Sequence, residues 1–118
     1  MHRYGRSLYF ALVAVILVIA LLPQPLAPAG TPSDKVNHIL AFFTLAFLAR
    51  LLWRDAGAWR LVAWLALFGG LIEILQAVMD MGRNGDWIDF LADVAATLLG
   101  LAAARAALAL WQAHRERG

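Results

Sequence analysis

GDWIDFLADVAATLLG, Gly85 to Gly100, opens like a loop and closes like a segment suited to lipid. Read as a helix, it places Asp86, Asp89 and Asp93 at i, i+3 and i+7, on one face. Ala92, Ala96, Gly100 and Ala104 follow as an unbroken small-xxx-small row, a pattern that lets a second helix backbone come close. Asp89 and Asp93 lead directly onto that row. A helix of this kind packs inside a bundle with its carboxylates turned away from lipid.

Composition extends this reading to the whole chain. Of 118 residues, 63% are hydrophobic and 15% charged, against roughly half and a quarter in soluble domains. The apolar residues come in blocks: Leu8–Leu22, Val36–Trp53, Leu61–Met79 and Trp87–Trp111. A membrane span needs about 20 residues at 1.5 Å each. The chain therefore reads as one all-α domain, 1–118, a polytopic transmembrane bundle of four spans at about 7–22, 36–53, 61–79 and 87–111. The first block has a rival reading. MHRYGR is a basic leader, LYFALVAVILVIALL an apolar core and Ala27–Ala29 a small-residue cleavage site, as in a signal peptide. A retained first span is preferred, because it supplies a fourth helix for the others to pack against.

Charge sets the orientation. Alternating spans gather Arg3, Arg6, Arg50, Arg54, Arg60, Arg105, Arg115 and Arg117 on one side and leave Lys35 and Arg83 on the other. The positive-inside rule makes both termini and loop 54–60 cytoplasmic, with 23–35 and 80–86 as outer loops. Trp53, Trp59, Trp64 and Trp111 then read as anchors at the inner interface and Trp87 at the outer one, with Arg105 snorkelling inward. A net charge of +2 spread over ends and loops gives no surface for nucleic acid, and with no cysteine there is no thiol chemistry.

Six of the eight acids sort to the opposite side: Asp34, Glu73, Asp80, Asp86, Asp89 and Asp93. They come from three segments, and only the topology brings them to one depth. SDKVNH places Asp34 and His38 one turn apart, and EILQAVMD spaces Glu73, Gln76 and Asp80 at i, i+3 and i+7. Against six acids stand Lys35, Arg83 and His38, so some carboxylates are protonated, hydrated or bound to a cation. Plainer roles compete: N-caps for Asp34 and Asp86, a solvated loop acid for Asp80, and cross-helix ion pairs for Lys35 and Arg83. Glu73, Asp89 and Asp93, set well into apolar helices, are the hardest to explain structurally.

At these residues the chain resembles the VanZ-like family of small bacterial membrane proteins. The resemblance runs from Asp34 to Gly100 and rests on DKVNH, on EILQ and on RNGDWID. It implies functional weight for Asp34, Lys35, His38, Glu73, Gln76, Arg83 and Asp89. Where the family pattern has Asn and then Gly, this chain has Asp93 and Ala96, while Gly100 fits. The resemblance implies a cell-envelope role in the bacterial inner membrane. The family's namesake is associated with low-level teicoplanin resistance.

Two functions follow as expectations. In the first, an outward polar cleft binds or modulates an envelope lipid, wall precursor or glycopeptide, with Asp34, Lys35, Gln76 and Arg83 as ligand-binding residues. In the second, an intramembrane hydrolase or transferase acts on a phospho- or glycolipid head group, with His38, Glu73, Asp89 and Asp93 as its catalytic set. No spacing is diagnostic of a metal site, and the cofactor stays open. Membrane lipids are the expected partners, a homo-oligomer fits four short spans, and nucleic acid is excluded.

Overall fold

The computed structural model describes residues 2–21, 32–79 and 87–117. These form four helices, α1 (His2–Ala20), α2 (Pro32–Leu52), α3 (Ala58–Met79) and α4 (Trp87–Arg117), with no strand among the described residues. The helices outrun the apolar blocks. α2 starts at Pro32, since proline suits a first helical turn. α4 continues through QAHRER, good helix formers whose His114, Arg115 and Arg117 complement the negative end of the helix dipole.

Side chains that bridge helix ends define the topology. Arg6, near the start of α1, donates from Nη2 to the Leu52 carbonyl at the end of α2 over 3.1 Å. Gln76 Nε2, near the end of α3, donates to the carbonyl of Ala20, the last residue of α1, over 2.7 Å. His38 and Asp93, near the starts of α2 and α4, meet at 3.4 Å. The chain thus runs up, down, up, down. The starts of α1 and α3 and the ends of α2 and α4 share one end, rich in arginine.

The most extensive interface joins α2 and α4, which are not neighbours in sequence. Gly100 makes it close: a Cβ there would fall 2.5 Å from the Phe43 carbonyl oxygen and 2.8 Å from Ala46 Cβ. Ala96 and Ala104, on the same row, are fully buried. The packing face read from the sequence is the observed one. Phe42, Leu45, Leu65, Phe68 and Ile72 fill the centre, and α1 joins through Tyr9 and Val13.

The outward faces are apolar as well. Leu8, Val15, Leu40, Leu67, Val78, Leu98 and Leu110 are all exposed, so every helix presents aliphatic side chains away from the core. A bundle facing water on all sides would carry charge there. Ala58–Val78 and Phe90–Arg117 are long and apolar enough to cross a membrane, while the apolar parts of α1 and α2, Tyr4–Ala20 and His38–Leu52, are shorter.

Arginine and aromatic residues organise the basic end. Arg50 Nη1 donates to the carbonyls of Trp53, Arg54 and Ala56 at 3.4, 3.1 and 2.8 Å, holding the α2–α3 turn through its own backbone. The Arg6 guanidinium lies over the Trp53 ring, 5.0 Å from its centroid. Trp53 packs edge-on against Tyr9 and Phe10, and Trp64 stacks on Phe68. Trp64 also donates from Nε1 to the Tyr9 hydroxyl, which donates in turn to the buried Leu45 carbonyl over 3.0 Å. Trp53 and Trp64 are therefore built into helix packing, whereas Trp59 and Trp111 are exposed.

Candidate functional site

Near the other end, three helices deliver one polar side chain each to a common point. His38 is the sixth residue after Pro32, Glu73 the sixth before Met79 and Asp93 the sixth after Trp87. At 1.5 Å per residue each sits about 9 Å inside its helix. Equal depth is what lets the three meet. A donor atom from each lies within 4.8 Å of the other two, and His38 Nδ1 is 3.4 Å from Asp93 Oδ1.

The surroundings are apolar and tight. Glu73 and Asp93 are 2% and 1% exposed, and the His38 side chain 10%. Phe42, one turn beyond His38, closes the core side with its ring 5.8 Å from that of Phe68. Gly69, one turn before Glu73, leaves room beside the acids: a Cβ there would touch Asp93 Oδ2 and the Phe42 ring, both at 3.4 Å. Thr97, one turn beyond Asp93 and fully buried, donates to the Asp93 backbone carbonyl over 2.8 Å, the local bond by which a helix accommodates a buried hydroxyl.

Two carboxylates this close are electrostatically expensive. Both ionised, they would repel by on the order of 3 kcal/mol at an effective dielectric constant of 20. A proton, the imidazolium form of His38 or a bound cation relieves that repulsion. Imidazole and carboxylate together can pass a proton, accept from an amine or hydroxyl, or ligate a divalent ion.

The segments outside this cluster contribute in different ways. The described grooves lie elsewhere: one of about 820 Å³ against the C-terminal half of α4, lined in part by Arg50 and Arg105, and one of about 410 Å³ between α1 and α2. Neither includes His38, Glu73 or Asp93.

A match to known sequences accounts for the pattern. The chain matches the sequence model of the VanZ/LLP1 family over residues 6–110. It belongs to the VanZ/LLP1 family. The matched range starts at Arg6, inside α1, and so is wider than the motifs between Asp34 and Gly100. No curated protein and no solved structure matches the chain. Membership of the VanZ/LLP1 family and two membrane-capable helices are compatible with a membrane protein.

Within this VanZ-like chain, the residues singled out from sequence fall into three groups. His38, Glu73 and Asp93 converge. Gln76, read as ligand-binding, is buried, and its amide nitrogen is engaged by the α1 terminus. Asp34 and Lys35 lie in the first turns of α2 and Asp89 in the first turn of α4, their side chains outside the described set; Asp80, Arg83 and Asp86 lie outside the described residues. The converging trio is largely buried, with His38 the most exposed of the three. Thr97 was missed as a neighbour of the site. It carried a usable signal, one turn after Asp93 on the same face.

Proposed function

We propose that this VanZ/LLP1 protein is a four-span protein of the bacterial cytoplasmic membrane, with both termini cytoplasmic, that binds or modulates an envelope amphiphile through its polar tip. The observation that carries this reading is the meeting of His38, Glu73 and Asp93 inside an otherwise apolar bundle. Buried ionisable groups are costly among apolar helices and are characteristic of functional sites. The clustering of arginine at the end where α1 starts and α4 finishes supports cytoplasmic termini, with the trio then toward the outer face. An enclosed site favours a small group, a phosphate or amine, over a whole sugar or glycopeptide. Lys35 and Arg83 provide the positive charge for phosphate or carboxylate, and the exposed aliphatic faces accommodate the tail.

Mass spectrometry of lipids that co-purify in mild detergent tests the proposal. The unmutated protein is expected to retain a polyprenyl-phosphate, glycolipid or other envelope amphiphile, with depletion in Lys35→Ala, Arg83→Ala and His38→Ala. An identical lipid profile across all four proteins overturns it.

A second reading is an intramembrane hydrolase or transferase on a phospho- or glycolipid head group. The approach of His38 to Asp93 favours it, since an imidazole oriented by a carboxylate is a recurrent general-base arrangement. Glu73 or His38 would take the proton, and Arg83 and Lys35 would stabilise developing negative charge. No nucleophile motif accompanies them in the sequence. Sustained conversion of a retained lipid, abolished in Glu73→Gln, would favour this reading over simple binding.

A further inference from the structure

We propose that His38, Glu73 and Asp93 form a binding site for one divalent transition-metal ion of the zinc or manganese kind. The donor set is an imidazole nitrogen with two carboxylates. That mixture suits zinc and manganese better than calcium or magnesium, which prefer oxygen alone, and it offers no sulfur for copper(I).

Geometry and charge agree. Two ligands of a tetrahedral zinc ion at about 2.0–2.1 Å lie roughly 3.3–3.4 Å apart, and His38 Nδ1 and Asp93 Oδ1 are separated by 3.4 Å. The full set, within 4.8 Å, needs only a small closing movement. Glu73 supplies it most readily, having one more side-chain torsion than Asp93. A dication with two carboxylates and a neutral imidazole is electrically neutral. Neutrality is what an apolar bundle demands of buried ionic groups.

The scaffold is suited to holding such a site. Each ligand stands on a different helix, and Gly100 holds α2 and α4 at backbone contact. Gly69 keeps the space beside Asp93 Oδ2 clear of a side chain. Three protein ligands leave a fourth position open, where a phosphate or carboxylate oxygen can coordinate. The ion shares its residues with the proposed head-group site, but its binding requires no lipid.

The full-length protein, purified in detergent, delipidated and stripped with a chelator, is titrated with Zn²⁺ and separately with Mn²⁺. Bound metal is then measured by elemental analysis after gel filtration. The expected result is about one ion per chain with a raised Tm. His38→Ala and Asp93→Asn should weaken retention at least about tenfold, the scale on which even outer partners of metal ligands act. His114→Ala, at an exposed histidine near the end of α4, should keep the unmutated stoichiometry. The first measurement uses unmutated protein, so it does not depend on the folding of any variant. Failure of both ions to bind stoichiometrically overturns the proposal, as does an ion that survives both His38→Ala and Asp93→Asn. A protein that takes up neither ion on titration, yet retained its amphiphile before delipidation, overturns the ion and leaves the head-group reading standing. A metal-loaded protein that retains no lipid supports the ion and counts against the lipid.

Discussion

The two ends of the bundle treat charge in opposite ways. At the basic end, arginines sit beside backbone carbonyls and aromatic rings: Arg6 reaches the end of α2, Arg50 gathers three carbonyls of the α2–α3 turn, and Arg54 and Arg115 lie over Trp111 at 5.6 and 4.9 Å. Arg6 finishes a helix end whose last carbonyls have no intrahelical donor, and Arg50 closes the turn that follows it. At the other end, Glu73 and Asp93 stand six residues inside their helices and are gathered with His38. Nothing about closing a helix calls for that. The first arrangement is architectural, while the second is the one on which the proposed function rests.

Breaking the shared interface should erase the contrast entirely. Gly100→Leu forces a side chain into the Phe43 carbonyl. It is expected to cost about 3 kcal/mol or more, seen as loss of a cooperative thermal transition in detergent together with loss of lipid and metal retention. Asp93→Asn should separate the two ends. It removes one of two adjacent carboxylates at nearly constant volume, so stability should stay within about 1 kcal/mol of the parent while retention of metal or amphiphile falls. A stable Asp93→Asn protein with undiminished retention would make Asp93 a structural residue. Arg50→Ala probes the converse: losing charge-assisted bonds to three carbonyls should lower stability by about 2 kcal/mol, with metal stoichiometry at the far end unchanged. The smallest effect is expected from Arg115→Ala, which removes an exposed cation–π contact worth about 0.5 kcal/mol and should barely move Tm.

Much of this molecule was legible before any coordinates. The apolar blocks foretold four helices, and the Ala92–Ala104 row foretold the face that packs against α2. The meeting of His38, Glu73 and Asp93 followed from alternation alone, since antiparallel helices return residues near their ends to the same level. What escaped were bonds from side chains to distant carbonyls. Arg50 read as one of the bases of the inner side and Gln76 as ligand-binding; each also donates to backbone, at Ala56 and Ala20 respectively, that only the folded chain places beside it. Tyr9 gave no warning either, because a tyrosine in an apolar block carries no periodic signal, yet it links α1, α2 and α3. The enclosure of the trio was likewise invisible, since spacing fixes a face and says nothing of how much of it is covered.

Chain order gives the buried trio a consequence of its own. His38 is synthesised first, then Glu73, and Asp93 arrives on the last helix. Until α4 is seated there is no site, only an acid and an imidazole awaiting their third member. An ion held there as proposed would therefore be retained only by a chain whose α4 is in place.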